Sequence, residues 1–168
     1  SGMETGYLFL LAVAPAAFWL WYFYNKDRYE PEPLSWILMV YIFGIVVTIP
    51  VAFIEGTLSI IIPEFFIVVL VAPIVEEAGK YLVVKRTVWE SLEFDEPVDG
   101  IIYAAAAGLG FATLENVIYV FSAVETSLIL ALQTGLLRAL ISVPGHVLFS
   151  AMWGYSLGKA RFIPQEQR

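Results

Sequence analysis

One apolar run after another, each long enough to cross a lipid bilayer, makes up most of this chain. A helix needs about 20 apolar residues, at ~1.5 Å each, to cross ~30 Å of hydrocarbon. Residues 7–24, 34–54, 58–84 and 98–121 meet that length. A fifth run, 127–157, is too long for one perpendicular span: it tilts, kinks at Pro144-Gly145, or begins along the interface. Backbone groups in hydrocarbon must be satisfied internally, so runs like these fold as helices. The composition agrees, with 60% hydrophobic residues and 15% charged ones, against ~25% charged in soluble domains. The fold class is all-α, a polytopic membrane helical bundle.

Basic residues set the expected topology. Lys26 and Arg28 follow the first run, Lys85 and Arg86 the third, and Lys159, Arg161 and Arg168 the fifth. The opposite connectors, around Glu55-Gly56 and over 122–126, carry none. The positive-inside rule then gives five spans, with the N-terminus outside and the C-terminus cytoplasmic. Splitting the fifth run gives six spans, the second choice, because Lys159 and Arg161 would fall outside. Glu30-Pro31-Glu32-Pro33 breaks the chain between the first two spans, and Asp95-Glu96-Pro97-Val98-Asp99-Gly100 offers caps for the fourth.

Other classes drop out. A net charge of −7 argues against a nucleic-acid partner, and the absence of cysteine removes disulfide frameworks and thiolate metal sites. The first run is too long and aromatic for a typical signal peptide, so it reads as a retained span. Ser1-Gly2 ahead of Met3 reads as a tag scar, leaving 3–168 as a single membrane-embedded domain.

Inside the spans the polar residues are few: Glu76, Glu77, Lys80, Glu115, Asn116, Arg138 and His146, with Asp99 at a boundary. A charge at bilayer depth costs roughly 2.5–3.5 kcal/mol on insertion scales, so each requires a reason. Lys80 shares a helix face with Glu76 and Glu77, which themselves point about 100° apart. One of the pair is therefore a partner for Lys80 and the other faces a wet cavity. Glu115 pairs with Arg138 or joins a site, Asn116 bonds across helices or donates to an oxyanion, and Asp99 is most simply a helix cap. Counted along the spans, the glutamate pair falls in the cytoplasmic half of the bilayer and Glu115 in the outer half. A shared site has to overcome that offset.

Buried carboxylates with one histidine suit the activation of a water molecule. A desolvated carboxylate titrates towards neutrality and becomes a competent general base. Peptide hydrolysis is the natural fit, with a water held by carboxylates or by a metal. There is no His-Glu-x-x-His, and one histidine cannot supply the usual zinc set. Glu77, Glu115 and His146 are the ligands if a metal is used.

Four elements, in order over the second half of the chain, resemble the PrsW-type intramembrane proteases, distant relatives of the CAAX-processing and bacteriocin-processing membrane proteases. They are Glu76-Glu77-Ala78-Gly79-Lys80, the 95–100 connector, Gly108-Leu109-Gly110-Phe111 with Glu115-Asn116, and Arg138 to His146 followed by Gly154-Tyr155. The resemblance implies a multi-pass protease of a prokaryotic cell membrane that cuts single-span membrane proteins. The family's named activity is the first cut of an anti-sigma factor. It implies a catalytic set of Glu76, Glu77, Glu115 and His146, to which the residues themselves add Asn116. Lys80, Arg138 and Asp99 support that set, and zinc is the candidate ion. The chain departs from the wider group at Glu115, where histidine is usual, and at Ser150, where asparagine or aspartate is usual. Two rival functions remain on the residues alone: a proton-coupled transporter and a non-catalytic, protease-like membrane scaffold.

Overall fold

The computed structural model describes residues 2–26 and 31–163. Arg28, Arg168 and Glu30, named above for topology and chain breaking, lie outside the described residues, as does Ser1 of the tag scar.

The described residues fold as five helices and no strand. Helix α1 is Gly2–Lys26 and α2 is Leu34–Leu58. Helix α3 runs continuously over 64–87, α4 is Asp99–Val124, and α5 is Leu128–Arg161. Helices α1, α2, α4 and α5 are each long and apolar enough to cross a membrane. Helix α3 carries Glu76, Glu77 and Lys80 in its middle; Lys80 is buried against the other helices, and the two glutamates are partly covered.

The third run does not start at residue 58. Helix α2 extends through Leu58, and residues 59–62 turn before Pro63 caps the start of α3. Proline cannot continue a helix but readily precedes one, so the break falls there. The long fifth run stays one helix, capped by Ser127, whose Oγ accepts from Leu130 N at 3.1 Å.

Two π-helical turns interrupt the α-helical pattern, Ile67–Val71 in α3 and Arg138–Ser142 in α5. Each is followed by a proline at the second position of the next segment, Pro73 and Pro144. A proline ring collides with the carbonyl four residues back and leaves it without its donor. Those carbonyls belong to Val69 and Leu140, both in the middle of a π turn. The wider turn accommodates the ring without breaking the helix. That is the physical form the expected kink at Pro144-Gly145 takes.

Helix α4 is the centre, and every other helix packs on it. Lipid tails are as apolar as leucine, so association in a membrane depends on close packing rather than on hydrophobic burial. The small-residue stretch 104–110 supplies it. A Cβ on Gly44 would overlap the Ala107 carbonyl, one on Gly110 the Tyr41 carbonyl, and one on Gly154 the Gly100 carbonyl. Backbones at these crossings touch. At the end where α4 begins, the 88–98 connector packs under α5, with Trp89 Nε1 donating to Leu157 O at 3.2 Å.

Candidate active site

Three helices bring the intramembrane polar residues together. Glu76 of α3, Glu115 of α4 and His146 of α5 each offer one ligand atom, all within 4.8 Å of one another. His146 Nε2 lies 2.9 Å from Glu115 Oε2, and Arg138 Nη2 reaches the same oxygen at 2.7 Å. In an uninterrupted α-helix, residues 138 and 146 would sit about 80° apart around the axis. The π turn between them absorbs one residue, which turns both onto the face toward Glu115.

The depth offset disappears for a related reason. Lys80 sits over the Phe111 ring, 4.6 Å from its centroid, and Glu76 meets Glu115. These antiparallel pairings put the end of α3 level with about Ala104, so α4 begins more than a turn beyond it. Residues 88–98 bridge the difference. Counting each span from its own end assumed flush ends, and these helices are staggered.

The adjacent glutamates divide. Glu77 Oε1 accepts from Lys80 Nζ at 2.7 Å, and its Oε2 accepts from Ser150 Oγ at 3.0 Å and Trp153 Nε1 at 2.8 Å. Glu76 stands 3.9 Å from both Lys80 Nζ and His146 Nδ1, with no hydrogen bond among the described residues. With both Glu77 oxygens already held, the structure gathers Glu76 rather than Glu77 with Glu115 and His146. The group that converges thus has Glu76 where the sequence reading named Glu77.

Lys80 is 0% exposed and also lies 2.7 Å from His146 Nδ1. An ammonium has no acceptor, so Nδ1 accepts and the ring proton sits on Nε2, donated to Glu115 Oε2. Lys80 thereby fixes the tautomer of His146. Asn116 is not part of the trio: its Oδ1 accepts from Arg138 Nε at 2.7 Å, and its Nδ2 donates to Ala12 O of α1 at 3.1 Å. It ties α1 to the arginine. Asp99 does not cap α4; its Oδ2 reaches back to accept from Asp95 N at 2.9 Å and Glu96 N at 2.6 Å.

Two spaces adjoin the cluster. One, of about 580 Å³, is lined by Ile74, Glu76, Ile141, Gly145, His146 and Phe149, between α3 and α5. It is a largely apolar trough with the carboxylates in its wall. The other, of about 190 Å³, reaches Glu115 between α2 and α4 and is lined by Thr48, Glu55 and Tyr119.

A family model described as PrsW family intramembrane metalloprotease matches residues 32–168. This chain belongs to the PrsW family. It is 41% identical over 162 residues to protease PrsW of Geobacillus kaustophilus (strain HTA426), covering 93% of this chain and 68% of that protein. Against protease PrsW of Bacillus subtilis (strain 168) it is 35% identical over 159 residues, covering 93% and 70%. Against protease PrsW of Clostridioides difficile (strain 630) it is 37% identical over 164 residues, covering 92% and 66%. No solved structure matches the chain.

PrsW membership makes this a multi-pass prokaryotic membrane protein and a protease of membrane proteins, in preference to the carrier or the scaffold. The family is one of metalloproteases, and the trio fits a divalent ion in number and convergence, with one nitrogen and two oxygen donors. Glu55, Ser150 and Trp153 were not picked out as part of the site from sequence. Glu55 reads as a connector residue because it ends an apolar run, yet α2 continues past it and its Oε1 is buried without a partner. Ser150 and Trp153 follow His146 by four and seven residues, a same-face spacing that was a usable signal.

Proposed function

We propose that this PrsW family member is an intramembrane endopeptidase that hydrolyses single-span membrane proteins with a water activated by Glu76. The observation that carries the reading is the convergence of Glu76, Glu115 and His146 on the wall of the apolar trough. In this reading a substrate helix approaches from lipid between α3 and α5, where Gly145 leaves the trough wide. The family resemblance supplies the substrate class, an anti-sigma factor receiving its first cut. Positive-inside counting supplies five spans with α3 among them, the N-terminus outside and the C-terminus cytoplasmic. Lys85 and Arg161, which share the Trp89 ring, support a common basic end.

Glu76 is the base because it is the carboxylate of the cluster that no donor holds. It takes a proton as the water oxygen attacks the scissile carbonyl carbon, then returns that proton to the amide nitrogen as the C–N bond breaks. His146 Nδ1 accepts from Lys80 and its Nε2–H points toward Glu115, and Arg138 holds Glu115 in place. Ion binding would need the other tautomer of His146, with Nδ1–H toward an uncharged Lys80 and Nε2 free to ligate. A divalent ion held by that nitrogen and Glu115, zinc being the candidate, would polarise the carbonyl as a Lewis acid. Glu77 is a positioning residue that anchors Lys80 and α5.

The test is cleavage of a single-span substrate by purified protein in liposomes, beside the Glu76→Gln variant and metal analysis. Loss of cleavage in a folded variant is expected. Full activity of Glu76→Gln overturns the assignment.

A further inference from the structure

The far end of α4 carries a second group of carboxylates, unconnected to the trio. Glu32, Asp95 and Asp99 each offer an oxygen within 4.8 Å of the others. They are about 24 Å along α4 from Glu115, at 1.5 Å per residue. They come from two connectors: Glu32 from the segment between α1 and α2, and Asp95 from the one between α3 and α4.

Clustered acids alone make no site, but two of these are buried. Glu32 is 4% exposed and Asp99 is 0% exposed. The Asp99 carboxylate is half satisfied. Its Oδ2 holds the Asp95 and Glu96 amides, while its Oδ1 is buried with no hydrogen-bond partner when both it and Glu32 are ionised. An orphaned carboxylate oxygen is costly and calls for an occupant. Glu32 is fixed by Tyr103, whose hydroxyl donates to Oε2 and whose ring stacks on buried Phe94. The Glu32 carboxyl also faces that of Asp99, its hydrogen-bond partner whenever one of the two acids carries a proton.

We propose that Glu32, Asp95 and Asp99 bind a hard divalent cation of the calcium or magnesium class. The donor set is all oxygen, which selects such ions over zinc. Two ligands about 2.4 Å from a shared centre stand at most about 4.8 Å apart, and the three oxygens lie within that limit. The adjoining space of about 170 Å³, lined by Glu32, Glu93 and Asp95, has room for the waters that complete the shell. Bound there, the ion clips the α1–α2 connector to the α3–α4 connector and seats both against the start of the central helix.

The proposal stands apart from the protease reading. The test titrates calcium, then magnesium, into the purified full chain by calorimetry, with thermal melts in chelator and in each ion. One-to-one saturable binding and a raised melting midpoint are expected. Glu32→Gln, which keeps the Tyr103 contact, and Asp95→Asn, at an exposed position, should each weaken binding on the order of tenfold or more. Glu76→Gln should leave it unchanged. Absence of saturable binding overturns the site, as does binding that Glu76→Gln removes and Glu32→Gln spares. A midpoint indifferent to both ions that rises on acidification would instead assign the orphan oxygen to a proton shared with Glu32, and also overturns it.

Discussion

Lys80 Nζ lies 2.7 Å from Glu77 Oε1 and the same distance from His146 Nδ1, so one ammonium group ties α3 to α5 and sets the protonation of the histidine. Removing it strips charge compensation from a buried carboxylate. Lys80→Met should cost about 3–5 kcal/mol of stability, the usual penalty for half a buried ion pair. Cleavage should fall with it. Thermal unfolding in detergent, alongside a cleavage assay, checks both. A wild-type melting curve would mean that the pair contributes nothing.

The two glutamates should separate by phenotype. Glu76→Gln removes the proposed base and no hydrogen bond, so activity should drop by roughly 10²–10⁴-fold at an unchanged melting temperature. Glu77→Gln disturbs contacts to Lys80, Ser150 and Trp153, so its melting temperature should drop first. Paired measurements on the two variants decide it, and the reverse pattern would exchange their roles.

A glutamate pair, a lysine one turn on and a lone histidine are visible as intramembrane charges, so most residues of the candidate cluster were legible as candidates. Which glutamate joins Glu115 was not. That depends on the azimuth of α5, where Ser150 and Trp153 claim Glu77, and sequence spacing gives no relative rotation between helices. Apolar runs gave the helices, but not their stagger. Glu55 was lost for the opposite reason: a charge ending an apolar run looks like a connector until another helix is seen to cover it.

The trough should respond to volume at Gly145. A Cβ there meets nothing within 4 Å, so Gly145→Leu should fold as well as the native chain. Its bulk would stand in the trough and raise KM for a helical substrate more than it lowers kcat. Kinetics on a membrane-reconstituted substrate test this. An unchanged KM would move the docking path elsewhere.

Close packing at α4 predicts sharp intolerance. Gly44→Ala would drive a methyl group into the Ala107 carbonyl, a backbone atom that cannot swing aside. The expected loss is about 1–3 kcal/mol or more. Gly56→Ala, in open space, is the matched control. Equal melting temperatures for the two would contradict the packing.

Glu32 gives a pH signature in chelator. Burial, reinforced by Asp99 and Asp95 and opposed by the Tyr103 hydrogen bond, pushes its carboxyl up from 4.5 to about 8. The folded state therefore holds the proton more tightly than the unfolded one. Its contribution is fully present below about pH 4.5 and is lost as pH rises toward 8 and beyond. Melts across that window should show the decline, and Glu32→Gln should flatten it.

The π turn at Arg138–Ser142 holds one residue more than an α-helix would, and Pro144 follows close behind it. Leu140 and Ile141 face outward and would tolerate exchange for other apolar residues. Removing one of the two would restore ordinary helical spacing and still leave Arg138 and His146 only about 20° apart, both toward Glu115. The Pro144 ring would then press on the carbonyl four residues back. A deletion here should be tolerated only together with replacement of Pro144, whereas a further insertion should swing Arg138 about 100° away from Glu115.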